Sequence, residues 1–313
     1  MKKVNIVAPV YNEAEVIADF HAELFKVLDT LRHKYVFDVI YVLDKSTDNT
    51  RDILRKICEN SKNTRMIVLS KRFGHQMSLV AGMDQCDGDA VIMMDSDLEH
   101  PPEVIPRLLV EYENKYDVVY TNRIYGGNVS ALKKVLSRLF YRFVNLISYI
   151  KTDENSADFR LISNKVLNVF KGQIREQNQF LRFLFRWVGF NQIGIEFVSK
   201  QRKGGKSKYN YLRLINFAIV GTISFSKVPL RISIVLGILL SAFSMFYGIF
   251  SFIKYIFNSS TPQGWTSLIM IVSFISGFQL ISLGIIGEYI GGIFDESKKR
   301  PLYLIDEEFR SLN

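Results

Sequence analysis

The chain has 313 residues, with 40 Lys and Arg against 31 Asp and Glu, which gives a net charge of +9 at pH 7. This length allows one large domain or two smaller units. A basic chain suits either nucleic acid or the anionic cytoplasmic leaflet of a membrane, and two long apolar segments near the C-terminus favour the leaflet over nucleic acid. The two cysteines, Cys58 and Cys86, exclude a disulfide framework and do not have a metal-ligand spacing.

Short apolar runs alternate with stretches of helical periodicity over the first 125 residues. The first such stretch carries apolar residues from Val16 to Leu31 on one helix face. Strands that alternate with helices predict an α/β fold with a mostly parallel, doubly wound sheet. Ligands of such a sheet bind beyond the carboxyl ends of its strands. The predicted strands are Val4–Pro9, Phe37–Leu43, Met66–Leu69, Ala90–Met94 and Val118–Thr121.

Two stretches beyond these strands suit a membrane surface. Residues 132–150 combine one apolar face with basic residues on the rest of the helix, a pattern typical of helices in the membrane interface. An ordinary surface helix packed on the sheet remains the alternative. Residues 211–225 are apolar but too short to span a bilayer, so we expect them to lie along the membrane.

Residues 232–253 and 265–288 are apolar and long enough to cross a bilayer, which takes about 20 residues of helix. Together they predict a two-helix transmembrane hairpin after the α/β domain. The domain prediction is therefore a catalytic domain over residues 1–226, two transmembrane helices within residues 227–295, and a tail over residues 296–313.

Basic residues flank the hairpin on both sides. Lys227 and Arg231 precede it, residues 298–300 follow it, and the loop Asn258–Gly264 between its helices has no Lys or Arg. The positive-inside rule then puts both ends in the cytoplasm. The apolar run Val4–Val10 is too short for a signal peptide. We therefore expect a multi-pass protein of the inner (plasma) membrane with a cytoplasmic catalytic domain.

Acidic clusters follow three of the predicted strands. They are Pro9-Val10-Tyr11-Asn12-Glu13, Asp44, and Asp95-Ser96-Asp97. Two carboxylates at i and i+2 can bind a hard divalent cation, which in turn neutralises a diphosphate leaving group. One Asp-x-Asp alone is weak evidence, but three clusters at successive strand ends favour an active site.

These motifs resemble the GT-A glycosyltransferases of family 2, and within them the polyprenyl-phosphate glycosyltransferases. Bactoprenol glucosyltransferases are the most similar subgroup, and dolichol-phosphate mannose synthase is more distant. The resemblance covers nearly the whole chain. Besides the three clusters, it rests on Ser46-Thr47-Asp48, Leu98 with Pro101-Pro102, Ala157-Asp158-Phe159-Arg160, Gly205-Lys206-Ser207-Lys208-Tyr209, Gly287-Glu288-Tyr289 and Arg300-Pro301-Leu302-Tyr303.

The resemblance implies how the donor, a UDP-sugar, is bound. Mg²⁺ or Mn²⁺ is the implied cofactor, and Asp97 is also an implied catalytic residue. The implied uridine contacts are Pro9, Tyr11, Glu13 and Asp44; the ribose, diphosphate and metal contacts are Asp95, Ser96 and Asp97; the basic loop over the phosphates contributes Arg202, Ser207 and Lys208.

On the acceptor side, the resemblance implies that Asp158 is a catalytic base or an acceptor-site carboxylate, with Arg160 beside it. Lys71 follows a predicted strand, which favours contact with a phosphate or the acceptor over a solvated surface charge. For His75, a helix-capping or packing role and a substrate contact both remain open.

The chain departs from the family pattern at several positions. Lys45 replaces a small residue, which leaves base selectivity open. Glu99 and His100 replace the usual Gln and Asp after the metal motif, and Glu99 can still ligate a cation as a third metal ligand. Ala157 replaces the Gly before Asp158.

The implied activity is inverting transfer of a hexose, with glucose as the first choice, from a UDP-sugar to the phosphate of undecaprenyl phosphate. The implied partners are the donor, the polyprenyl phosphate, the lipid bilayer and further copies of the chain in a tetramer. One alternative is a processive polysaccharide synthase, but Phe183 occupies the Gln position of that class's Gln-x-x-Arg-Trp motif. The other is a catalytically inactive membrane scaffold, against which Asp95, Asp97 and Asp158 argue.

Overall fold

The computed structural model describes residues 1–125, 156–199, 226–258 and 264–310. The chain divides into two compact units. The first comprises Met1–Asn145, Ile150–Asn210 and Arg300–Asn313, and the second comprises Leu146–Tyr149 and Tyr211–Lys299. The predicted amphipathic helices at 132–150 and 211–225 lie outside the described residues, as do Arg202, Ser207 and Lys208.

An eight-stranded sheet forms the centre of the first unit, with the order β7-β5-β6-β4-β1-β2-β3-β8. Strands β4, β1, β2 and β3 are parallel, as are β5 and β7, whereas β6 and β8 run antiparallel to their neighbours. The predicted mostly parallel α/β sheet is confirmed. The strands are β1 (Lys2–Val10), β2 (Tyr35–Leu43), β3 (Thr64–Leu69), β4 (Ala90–Met93), β5 (Val118–Tyr125), β6 (Ser156–Ser163), β7 (Gln192–Ser199) and β8 (Ile305–Arg310).

Helices connect these strands and pack apolar faces on the sheet. Phe20 and Leu24 of α1 are fully buried, and full burial of one such side chain stabilises the fold by about 1.5–3 kcal/mol. The helices of this unit are α1 (Ile17–Leu31), α2 (Thr50–Asn60), α3 (His75–Asp84), α4 (Ile105–Glu113), α5 (Asn164–Gly172) and α6 (Leu181–Trp187).

Helix α3 packs on β1 at Gly82, where the absence of a side chain allows a close approach. A Cβ atom built at Gly82 would lie 2.2 Å from a methyl carbon of Val7 in β1, which is too close for any other residue. The first residue of α3, His75, lies at the carboxyl ends of the parallel strands.

The segment after the second apolar helix belongs to the sheet of the first unit. Strand β8 pairs antiparallel with β3, and the Tyr303 hydroxyl donates to Asp84 at 2.7 Å. Glu307 accepts hydrogen bonds from Arg51 and Arg55 of α2. Residues 296–313, which the sequence predicts as a tail, thus include an edge strand. Charged, largely exposed residues form β8, so its sequence lacks the apolar run that marks the other strands.

In the second unit the structure describes two long helices, α7 (Val228–Asn258) and α8 (Trp265–Ser297). Both are long and apolar enough to cross a membrane, with candidate spans at Val228–Phe250 and Ile271–Ser297 of mean hydropathy 2.1 and 1.6. None of either span is buried within the protein. The predicted apolar helices at 232–253 and 265–288 coincide with these two helices.

Candidate active site

The loop after β1 is tied to the loop after β2. The backbone N–H of Asn12 donates to the Ser46 hydroxyl at 3.0 Å, and the N–H of Thr47 donates to the Asn12 side chain at 2.8 Å. Asn12 has a φ of 55°, which asparagine tolerates better than most residues. The neighbouring Tyr11 ring stacks under the Arg72 guanidinium at 4.1 Å. Tyr11 and Glu13 thus flank a loop that two strand ends hold in place.

Asp44 is a buried carboxylate that holds the loop before α3. Its two oxygens accept the backbone N–H groups of Phe73 and Gly74 at 2.8 and 2.9 Å. Gly74 has a φ of 92°, a conformation that other residues rarely adopt. Asp44 therefore determines where α3 begins, and the implied uridine contact would use its remaining lone pairs. Lys71, on the same loop, is exposed and lies over the Phe73 ring.

The Asp-x-Asp motif follows β4 and packs against two histidines. Asp95 is 2.7 Å from the His75 Nε2, and its own backbone N–H donates to the His100 Nδ1 at 2.9 Å. His100 is fully buried and stacks on Phe159. The Ser96 hydroxyl donates to the Pro9 carbonyl oxygen at 2.9 Å. The unusual His100 is therefore a packed support for the motif, and His75 is a direct partner of Asp95.

The attraction between His75 and Asp95 shifts the pKa values of both side chains. Partial burial lowers the pKa of His75, but attraction to Asp95 outweighs it and raises the pKa to about 9. Burial raises the pKa of Asp95, but the His100 and His75 imidazoles lower it well below the ordinary value. His75 is therefore cationic and Asp95 anionic at neutral pH.

Asp158 lies on β6, the strand next to the one that the Asp-x-Asp motif follows. The antiparallel register pairs Met93 of β4 with Arg160 of β6, so Asp158 comes opposite the turn that begins at Asp95. Arg182 of α6 donates from Nε and Nη2 to both oxygens of Asp158, each at 2.9 Å. Arg160 is a second cation, with Nη2 at 3.6 Å from Oδ1. Asp158 is thus held by two guanidinium groups.

Burial raises the pKa of Asp158, but the Arg182 and Arg160 guanidinium groups, together with His75, lower it well below the ordinary value. Asp158 is therefore ionised throughout the neutral range, and a carboxylate with so low a pKa is a weak general base.

The predicted metal ligands fit a cation in part. Asp95 and Asp97 offer hard carboxylate oxygens on one turn, the donor type that Mg²⁺ and Mn²⁺ prefer. Glu99 instead pairs with Arg123 at 2.8 Å, and its N–H donates to the Asp97 Oδ1 at 3.0 Å. Within the described residues, no three acidic, His or Cys side chains are grouped to hold an ion. Asp95 and Asp97 are therefore the two predicted ligands whose side-chain chemistry fits a divalent cation.

Most sequence-derived site residues of the described chain gather at the carboxyl ends of β1, β2 and β4 and at the start of β6. Arg182, the closest partner of Asp158, was not predicted from the sequence. The one signal in the sequence was a charged residue inside the otherwise apolar run Leu181–Phe185.

The model of the family Glycosyl transferase family 2 matches residues 5–170 of the chain. This range includes Asp44, Asp95, Asp97 and Asp158. The chain belongs to this family. An uncharacterized glycosyltransferase of Synechocystis is 37% identical over 97% of this chain and 95% of its own length. A bactoprenol glucosyl transferase of Shigella phage SfV is 35% identical over 98% of this chain and 99% of its own.

Among solved structures, a mannosyl-3-phosphoglycerate synthase from Rubrobacter xylanophilus is similar with a TM-score of 0.48 and 15% identity, over 71% of this chain and 73% of that chain. Membership in family 2 and the two relatives make the protein a glycosyltransferase.

Proposed function

We propose that this glycosyltransferase moves a hexose, with glucose as first choice, from a UDP-sugar to the phosphate of undecaprenyl phosphate at the cytoplasmic side of the inner membrane. The observation that carries the proposal is the extent of one similarity. The match to the bactoprenol glucosyl transferase covers 98% of the chain, so it includes the acidic site and both apolar helices. A water-borne donor and a membrane-borne acceptor would need both parts in one enzyme.

Donor binding is assigned to the loops after β1 and β2. In this proposal the tethered Tyr11–Glu13 loop and Asp44 face the uridine, and Asp95 with Asp97 would hold a Mg²⁺ or Mn²⁺ ion. Such an ion neutralises the charge that develops on the departing UDP. His75 adds a cation beside the same carboxylate pair.

Acceptor binding is assigned to the side of the site that contains Asp158. A phosphate monoester has a second pKa of about 6, so most of it is dianionic at pH 7 and needs no base to become a nucleophile. Its oxygen would attack the anomeric carbon on the face opposite UDP, which inverts the configuration. The protein's contribution is then to hold that oxygen in line, and the charged residues around Asp158 suit this task.

The decisive test is a screen of radiolabelled UDP-sugars with polyprenyl phosphate, using the full-length protein in detergent. We expect label in the lipid extract as a single lipid-linked sugar, with UDP-glucose the best donor. A labelled polymer would support a processive synthase instead. Label that stays in the aqueous phase with every donor would contradict the proposal. Asp97→Ala protein provides the matched inactive control.

The topology of the chain gives a further prediction. Strand β8 follows α8 in sequence but pairs with β3, so residues 305–310 and the first 125 residues belong on one side of the membrane. In intact cells, an impermeant thiol reagent should label Ser260→Cys in the loop between the helices. It should label Asp306→Cys on β8 only after the cells are opened. The reverse pattern would contradict the charge-based orientation.

A further inference from the structure

We propose that Arg182 is a positioning residue for the acceptor: it orients the Asp158 carboxylate and makes this side of the site positive enough for a phosphate dianion. The inference rests on the proposed function and adds a residue that the motifs of the sequence do not mark.

The geometry of the pair restricts the carboxylate. Two parallel hydrogen bonds of 2.9 Å join the guanidinium plane to the carboxylate plane, and a bidentate pair of this kind fixes orientation as well as distance. The Asp158 side chain is 9% exposed, whereas that of Arg182 is 41% exposed. Arg182 therefore joins a buried carboxylate to a surface that a ligand can reach.

Positive charge outweighs negative charge around Asp158. Arg160, Arg182 and Arg186 line one small cavity together with Tyr120 and Phe185. The Arg160 guanidinium stacks on the Phe185 ring at 4.6 Å, and that of Arg186 stacks on the Tyr120 ring at 4.7 Å. Three guanidinium groups share this cavity, and two of them pair with the Asp158 carboxylate. Since arginine stays protonated in proteins, the cavity carries excess positive charge. That excess of positive charge suits a phosphate monoester dianion.

Arg182 is the member of this group that neutralises most of the negative charge of Asp158. Without it, a buried carboxylate would repel an incoming dianion, since Arg160 is 3.6 Å from Asp158 and also donates to the Ala157 carbonyl oxygen. Loss of Arg182 should therefore weaken acceptor binding and leave donor binding intact. A role limited to anchoring α6 would instead affect both substrates equally.

The test compares Arg182→Met, Arg182→Lys and the unmutated protein, each full length in detergent. For Arg182→Met we expect the KM for polyprenyl phosphate to rise by about tenfold or more, the size of losing one charge-assisted contact. The KM for the UDP-sugar and the calorimetric Kd for UDP should change by less than about twofold. Arg182→Lys keeps the charge but loses the bidentate geometry, so it should recover part of the acceptor KM.

Arg32→Met is the matched control, because Arg32 forms an exposed ion pair with Asp29 on α1, where both side chains are more than half exposed. An unchanged acceptor KM in Arg182→Met, or an equal rise in both KM values, would overturn the inference and leave the proposed function intact. If Arg182→Met does not fold, an acceptor KM of Arg182→Lys equal to that of the unmutated protein overturns it. An unmutated protein that transfers no sugar to lipid overturns the proposed function itself.

Discussion

Asp158→Asn is expected to lower turnover at pH 7 by about 100-fold or more, and to recover little when the pH is raised to 8.5. A fall in turnover of this size is typical of losing one preorganised electrostatic contact in an active site. The amide keeps the shape of the carboxylate but not its charge, so Arg182 and Arg160 lose their common partner. The guanidinium groups would then reorient, and the acceptor oxygen would no longer be held in line with the anomeric carbon.

The activity of Asp158→Asn should recover little at high pH because the acceptor phosphate and the native Asp158 carboxylate are both already ionised at pH 7. The acceptor phosphate is already largely dianionic at pH 7, so a higher pH supplies little additional nucleophile. The pKa of Asp158 is lowered by Arg182 despite burial, so the native carboxylate is a poor base in the same range. The measurement is initial rate against pH for Asp158→Asn and unmutated protein at saturating acceptor. Full recovery at pH 8.5 would mark Asp158 as a base, and an unaffected rate would remove it from the site.

Asp97→Ala is expected to lower turnover by at least ~100-fold, and EDTA should abolish transfer until Mg²⁺ or Mn²⁺ is restored. In the proposed site Asp95 and Asp97 would hold the cation, so the loss of either should remove most metal binding. Turnover is measured with added metal over a range of concentrations.

Glu99→Gln distinguishes a two-carboxylate site from a three-carboxylate one. Because Glu99 pairs with Arg123, we expect its loss to cost less than about tenfold, far below the effect of a catalytic electrostatic contact. An equal loss in Glu99→Gln and Asp97→Ala would restore Glu99 as a third ligand. Full activity in chelator would contradict the metal altogether.

The sheet and the acidic residues at its edge could be predicted from the sequence because both are marked by short local patterns of residues. A buried parallel strand such as β1 needs a continuous apolar run, and the end of such a strand is where ligands bind, so Asp95 could be recognised by its position. Arg182 depends on a contact between residues 24 positions apart, and β8 depends on a pairing across more than 200 residues. The local sequence marks Arg182 only as a charged residue in an apolar run and does not name its partner, and the charged sequence of β8 does not mark a strand at all. The loop-holding role of Asp44 was missed for the same reason.

The order of strands in the sheet has a consequence for how the protein is made. A ribosome completes both apolar helices before it reaches Ile305, so β3 is synthesised early but obtains its outer neighbour last. Until then β3 is an open edge, which is prone to pair with other chains. Chains that stall before residue 305 should therefore aggregate or be degraded, although every acidic residue of the site has already been translated. Strand β8, although translated late, thus covers the open sheet edge that β3 forms early in synthesis.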